Sequence, residues 1–351
     1  YRKKFNVDSL DKTRIITFLG VAPCIDLYIN GVFVGFGEAS HNSYEFDITN
    51  HLLQGENELL VVVFKWCTGS YLEAQDMFRE NGIFRDVYIT QYERAFINDF
   101  CLKTTKTGKA YSLSGEVFLK GSFEGCTVEI ELYDDKKSIA KTVAKAKETV
   151  NFHFEKLSVI EWNAEQPYLY ELLITLRSGK QSLLCIRNYT GFKTIKINKN
   201  IFTLNGKKIK LKGVNHHDTH ETKGYAMSID DMEKDILLMK AYNVNCVRTS
   251  HYPPDPQFLM VCDQYGLYVV DEADIETHGL PDLGLSVSEL SMNLKWAPRY
   301  LDRVKRMYWR DRNRPSIIMW SLGNESGGYK CQDKCYDFLH SVCPEIPVHY
   351  E

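Results

Sequence analysis

The chain has 351 residues, 44% hydrophobic and 13% aromatic, enough for more than one packed core, so two or three domains are expected. A formal net charge of −3 offers no basic footprint for nucleic acid, and no apolar run reaches membrane-spanning length. No signal-peptide pattern opens the sequence, and the 10 cysteines are scattered without paired zinc spacing. Cys331 and Cys335 lie one helical turn apart but lack partner histidines. Reduced thiols in a cytoplasmic protein are the expectation.

Residues 1–94 read as all-β. Ile25 to Phe36 alternates apolar and polar residues around Asn30-Gly31, a strong hairpin signal. Glu58 to Trp66 is a further strand, introduced by the Gly55-Glu-Asn57 turn. Many short strands suggest a sandwich or jelly roll, and the sequence opens inside a strand pattern, so earlier strands are expected before Tyr1. Ser70 to Val87 is polar and aromatic. As a solvated loop it would make Arg85 and Asp86 a surface ion pair; as a functional loop it would reach toward a sugar. Both readings stay open at this point.

Residues 95–198 carry the strands Thr127–Tyr133, Val150–Phe154 and Tyr170–Leu176 between lysine-rich turns, which fits an immunoglobulin-like sandwich. His153 alternates with Phe152 and Phe154 and is expected to face solvent. Nothing here has the look of a site, so the domain reads as a spacer and support.

Residues 199–351 change pattern. Strands are expected over Ile209–Val214, Val244–Arg248 and Leu267–Val270, around Ile317, and near Val348. Helices are expected over Ser228–Tyr242, Asp255–Tyr265, Arg299–Arg312 and Gln332–Val342. Ser228 and Asp231 form a capping pair, and Met232, Ile236 and Met239 an apolar stripe. Alternating strands and helices mean a (β/α)8 barrel or a doubly wound sheet, and five strands make a barrel incomplete.

The residues just past each strand are the informative ones. Asn215-His-His-Asp-Thr-His220 comes after the first, Thr249-Ser-His-Tyr-Pro253 after the second, Asp271 to Gly279 after the third and Asn324-Glu325 after the fourth. A Glu after a strand is often only a helix start favoured by the dipole. Four successive strand ends delivering His, Asn, Asp and Glu to one face require a site. Glu325 is the candidate general acid/base.

The motifs Gly213-Val-Asn-His-His217, Thr249-Ser-His-Tyr-Pro253, Val269 to Gly279, Arg310 to Ser316, Trp320-Ser-Leu-Gly-Asn-Glu-Ser326, and Gly69 to Met77 with Gly82 to Val87 resemble glycoside hydrolase family 2. Within it they match the large bacterial β-galactosidases best, in order along nearly the whole chain. The resemblance implies a multidomain β and α/β fold: a jelly-roll sugar-binding domain, an immunoglobulin-like β-sandwich, then the first part of a TIM (β/α)8 barrel. It implies a retaining hydrolase of β-D-galactosides such as lactose, with Glu325 as acid/base and Asn324 on the 2-hydroxyl. His217 and His251 would contact galactose hydroxyls. Glu276, His278 and Glu325 would hold Mg2+, for which Mn2+ is a reasonable substitute. Asp86 would face the 6-hydroxyl through Na+. A homo-oligomer is implied for the full-length protein.

The sequence also departs from that family. The nucleophile expected after a later strand has no matching motif, and Glu351 lies at the wrong strand to replace it. It is therefore expected beyond this chain, which alone should be inactive. Gly328 stands where the family often has His, so the loop past Glu325 is expected to differ. A β-glucuronidase or β-mannosidase of the same family, or a non-catalytic carbohydrate-binding fragment, are the alternatives.

Overall fold

The computed structural model describes residues 1–350. Residues 1–92 build two antiparallel sheets, in the orders Arg2–Val7, Gly55–Phe64, Cys24–Ile29, Val32–Gly37 and Tyr44–Asp47, Thr13–Phe18, Val87–Tyr92. Their facing apolar sides enclose Ile16, Phe18, Ile25, Leu27 and Val61. The expected hairpin is there: Asn30 and Gly31 both take positive φ, as a tight turn matched to strand twist requires.

A second sandwich follows. Ala95–Thr107, Ala110–Gly121 and Thr149–Leu157 form one sheet, and Lys137–Lys145, Cys126–Asp134, Tyr170–Ser178 and Gln181–Thr190 the other. Phe152 and Phe154 point into its core while His153 is exposed between them. All ten cysteines are free thiols.

The third part is an open parallel sheet of five strands, Gly213–Asn215, Cys246–Arg248, Tyr268–Glu272, Ile317–Ser321 and Val348–His349, paired in that order. Helices Ile229–Ala241, Pro256–Tyr265, Ala297–Asp311 and Lys330–Val342 cover its outer face. Ser228 and Asp231 cap the first helix reciprocally, and Met232 and Ile236 are buried beneath it. The first strand begins at Gly213 rather than Ile209. Ile209 and Leu211 are drawn instead to a cluster at the sheet's lower end, with Trp162 of the second domain and Leu204 and Phe202 of a three-stranded hairpin. Trp162 donates to the Asp263 carbonyl at 3.0 Å, which ties the second domain to the barrel floor. The third strand runs on through Asp271 and Glu272, two residues past the expected end. Among the described residues no helix is long and apolar enough to cross a membrane.

The first domain grips the barrel. Leu72 sits in the barrel's own core. Leu72 and Ala74 bracket Glu276 in a parallel bridge, through Glu276 N to Leu72 O at 2.7 Å and Ala74 N to Glu276 O at 3.0 Å. Buried Arg303, on the Ala297–Asp311 helix, donates to Glu73 at 2.7 Å and to the carbonyls of Glu38 and Gly69 at 2.8 and 3.3 Å. Asp274 accepts from Gln75 at 2.8 Å and contacts His41 Nδ1 at 3.0 Å. Burial, together with the Asp274 anion, raises the Glu73 carboxyl, while Arg303 and the Ser40 hydroxyl pull it back.

Removing one partner of such a buried pair leaves an uncompensated charge. Arg303→Met is therefore expected to lower the unfolding free energy by about 3–5 kcal/mol, measured by urea denaturation. A loss within experimental error would show that water replaces the guanidinium.

Candidate active site

The carboxyl ends of the barrel strands bring the expected polar residues to one face. Strand alternation explains why Asp271 and Glu272 part company. Asp271 turns toward the helices, where burial and the neighbouring Asp311 hold its carboxyl well above the ordinary range. Glu272 turns inward and is the hub: it accepts from Arg248 Nε at 2.6 Å and Ser321 Oγ at 2.6 Å, and bonds His251 Nδ1 at 2.7 Å. Burial alone would raise the Glu272 carboxyl. The His251 hydrogen bond and the Arg248 charge outweigh it and hold Glu272 below the ordinary carboxylate range.

From that hub the network reaches Asn324. Arg248 Nη2 donates to Asn324 Oδ1 at 2.9 Å, and Asn324 Nδ2 donates to Glu276 Oε2 at 3.0 Å. Gly323 makes this possible. Its φ is +115°, and a Cβ there would stand 2.4 Å from the Ile275 carbonyl, so only glycine lets the chain turn Asn324 and Glu325 onto this face. Beyond Glu325, Tyr350 Oη accepts from the amides of Ser326 at 2.9 Å and Gly328 at 3.1 Å. A Cβ on Gly328 would lie 2.7 Å from the Tyr350 ring, which accounts for glycine at that position.

The histidines form a second group. Asp218 N donates to Tyr252 Oη at 3.0 Å, and Tyr252 Oη lies 3.3 Å from His217 Nδ1. The His217 and His251 rings meet edge to face, with centroids 5.6 Å apart. Burial, followed by the neighbouring His251 and His216, lowers the His217 pKa. Arg85 makes no surface pair with Asp86. It is buried, donating to Asp218 at 3.0 Å and to the His41 carbonyl at 2.9 Å, because the 70–87 loop folds against the barrel rather than into solvent. Asp86 is exposed at the foot of the Val87–Tyr92 strand, and among the described residues no hydrogen bond or ion pair joins it to the cluster.

Glu325 is the open member, with its side chain 51% exposed and bonded to His278 Nε2. His278 Nδ1 faces Glu276 Oε1 at 3.1 Å and Asp76 Oδ2 at 3.5 Å. One ligand atom each from Asp76, Glu276 and His278 lies within 4.8 Å of the others, two hard oxygens and one imidazole nitrogen, a donor set that fits a divalent ion. Glu325, expected as the third ligand with Glu276 and His278, contacts the opposite ring nitrogen and lies beside the group formed by Asp76, Glu276 and His278. Glu272, Arg248, Tyr252 and Asp76 had no assigned role from sequence. Tyr252, Glu272 and Asp76 lie within the family-like motifs and Arg248 directly before one, which was their signal.

Three family models cover the chain in order: glycosyl hydrolases family 2, sugar binding domain, over residues 1–92; glycosyl hydrolases family 2, over 95–193; and the family 2 TIM barrel domain, over 195–351. The chain belongs to glycosyl hydrolase family 2. It is 39% identical to β-galactosidases of Alteromonas mediterranea and Vibrio vulnificus, matching 100% of this chain and 35% of each relative. The chain thus spans about a third of those relatives (35%). Among solved structures, the β-D-glucuronidase of Dictyoglomus thermophilum superposes with TM-score 0.87 at 24% identity, covering 100% of this chain and 64% of that one. A Parabacteroides merdae β-glucuronidase gives 0.88 at 18%, covering 99% and 47%. At those identities the structures share the fold.

The lowered His217 value has a measurable consequence. The fold favours the neutral ring, so its stabilising contribution is whole above the ordinary value of 6.5 and is lost as pH falls through the lowered one. Urea unfolding followed against pH should show a flatter acid limb for His217→Asn than for the parent. An unchanged limb would place the acid sensitivity in other groups.

Proposed function

We propose that the chain is the acid/base half of a retaining β-galactosidase. The observation that carries this reading is a half-exposed Glu325 beside a fully organised set of sugar-facing groups. Retaining hydrolysis needs a carboxylic acid to protonate the leaving oxygen and then, ionised, to activate water. Glu325 has the access to solvent and substrate that proton exchange requires, whereas Glu272 is locked as an anion. The second carboxylate, the nucleophile, lies beyond Glu351 in this reading. Asp271 faces the helices, Glu272 is committed to Arg248 and His251, and Glu276 to Asn324, so none of them is free for attack.

The tautomers follow from the partners. Anionic Glu272 accepts from His251 Nδ1–H, which leaves Nε2 of a neutral ring as an acceptor for a sugar hydroxyl. Tyr252 Oη accepts from Asp218 N and so turns its hydrogen to His217 Nδ1, which leaves His217 Nε2–H as a donor. The pair thus offers one acceptor and one donor to neighbouring hydroxyls. Asn324 is pinned at both ends of its amide and keeps one N–H for the 2-hydroxyl. Glu276 and His278 would hold a magnesium or manganese ion, supplying local positive charge, with Glu325 bonded to the same imidazole. Asp86 with sodium at the 6-hydroxyl completes the reading.

Galactoside is favoured over glucuronide because the 39% identity is to β-galactosidases, while the glucuronidases named above are alike in fold. Hydrolysis of a nitrophenyl β-galactoside tests it, with the natural-length protein, its Glu325→Gln variant and this chain run side by side. The long form should turn over, the variant should lose about 10²–10⁴-fold in rate, and this chain should be inert. Turnover by this chain that Glu325→Gln abolishes would refute the missing nucleophile. Faster cleavage of the glucuronide by the long form would overturn the substrate.

A further inference from the structure

We propose that Asp76, carried by the sugar-binding domain, is a ligand of the divalent ion held by Glu276 and His278, so that the ion clamps that domain to the barrel. This rests on the cation site proposed above and adds to it a ligand from a different domain.

The sequence places Asp76 in the Gly69 to Met77 motif, 200 residues from Glu276, and gave it no part in the expected cation site. The fold places it there by its neighbours on either side. Residues 72 and 74 are hydrogen-bonded to the backbone of Glu276 itself. Glu73 is held by Arg303 at 2.7 Å and Gln75 by Asp274 at 2.8 Å, all four buried. The chain therefore leaves Gln75 already docked, and the next side chain, Asp76, points back at His278. Ligands about 2.1 Å from an octahedral ion stand about 3.0 Å apart when adjacent. The separations of His278 Nδ1 from Glu276 Oε1, 3.1 Å, and from Asp76 Oδ2, 3.5 Å, match two such edges. Among the described residues the Asp76 side chain has no other ion-pair partner, and it is 85% exposed, so it buries no apolar contact that would explain its position.

Asp76 differs in this from its buried neighbours. Those neighbours hold the domains together with or without an ion, while Asp76 adds only to the ion-bound state. Linkage then requires that the ion stabilise the docked protein through Asp76.

Mn2+ binding to the 351-residue chain, read from the electron paramagnetic resonance signal of free Mn2+, tests this alongside thermal unfolding with and without the ion. Asp76→Asn should raise the Kd about tenfold or more, the range typical of a lost metal-site partner. It should also shrink the rise in Tm that Mn2+ gives the parent, with its metal-free Tm and circular dichroism unchanged. Asp76→Glu, which keeps the charge on a longer stem, should recover part of the affinity. Glu276→Gln should weaken binding at least as much. If Glu276→Gln weakens binding and Asp76→Asn stays within about twofold of the parent, Asp76 is no ligand and only this proposal falls. A drop in the metal-free Tm of Asp76→Asn that parallels its loss of affinity would also overturn it, by assigning a structural role. If the parent binds no Mn2+, or Glu276→Gln binds as the parent does, the cation site itself is refuted.

Discussion

The geometry of the site depends on one buried contact between two domains, Arg303 against Glu73. Arg303 projects from the outer helix Ala297–Asp311 and ends among groups of the first domain. A guanidinium this deep is tolerated only because a carboxylate and two carbonyls meet it, and the carboxylate only because the guanidinium is there. The consequence lies one residue away. With Glu73 fixed, the segment from Leu72 to Ala74 lies along Glu276 and completes both of its main-chain hydrogen bonds. A loop at the rim of an open sheet would otherwise leave these groups to water. The sugar-binding domain is thus part of the wall that holds Glu276 in place.

Next to that wall stands a continuous polar network. Ser321, Glu272, Arg248, Asn324 and Glu276 are linked in sequence by hydrogen bonds of 2.6 to 3.0 Å, and they come from three adjacent strands and the loops after them. Parallel pairing sets the spacing. Glu272 is registered against Ser321, and the Arg248 strand flanks it on the other side. In a low-dielectric setting such a chain is stable only when every member is satisfied, and it then resists reorientation. That resistance is useful to a sugar site, because hydroxyls are told apart by where donors and acceptors stand.

Local signals were legible in the sequence and long-range ones were not. Asn30-Gly31 announced its hairpin, and Ser228 with Asp231 announced its helix start, because each motif satisfies backbone demands among its immediate neighbours. The resemblance named His217, His251, Glu276, His278, Asn324 and Glu325, and the fold gathers these at one face. Asp86 is not joined to them by any bond among the described residues. Glu272 was seen among the residues past the third strand, but its place as a buried hub within the strand was not, for a physical reason. A charged residue at the end of an apolar run reads as the strand's end, yet here it is buried and continues the strand, since Arg248, His251 and Ser321 neutralise it. Arg85 could not be decided from its neighbours in sequence. Its neighbour Asp86 is the obvious partner along the chain, but the true partner, Asp218, is 133 residues away. Only the packing of one domain on another brings them together.

The division of labour between Glu272 and Glu325 follows from the same considerations. Both are carboxylates at the carboxyl ends of neighbouring strands of one sheet, Glu272 the last residue of its strand and Glu325 in the turn beyond the next. Glu272 is enclosed by a cation and hydrogen-bond donors that favour its ionised form, so it cannot give and retake a proton near neutral pH, and it serves as a fixed support for His251 and Arg248. Glu325 stands one residue past Asn324, where the chain has turned out of the strand at Gly323, and half its side chain remains open. Asn324 is the joint between the two regimes. Its amide is held by Arg248 on the locked side and by Glu276 on the side of His278. Because that amide cannot swing, the backbone that launches Glu325 is fixed even though its carboxyl is free. The proposed role of Glu325, a proton donor that then acts as a base, needs that combination of a rigid stem and an accessible tip.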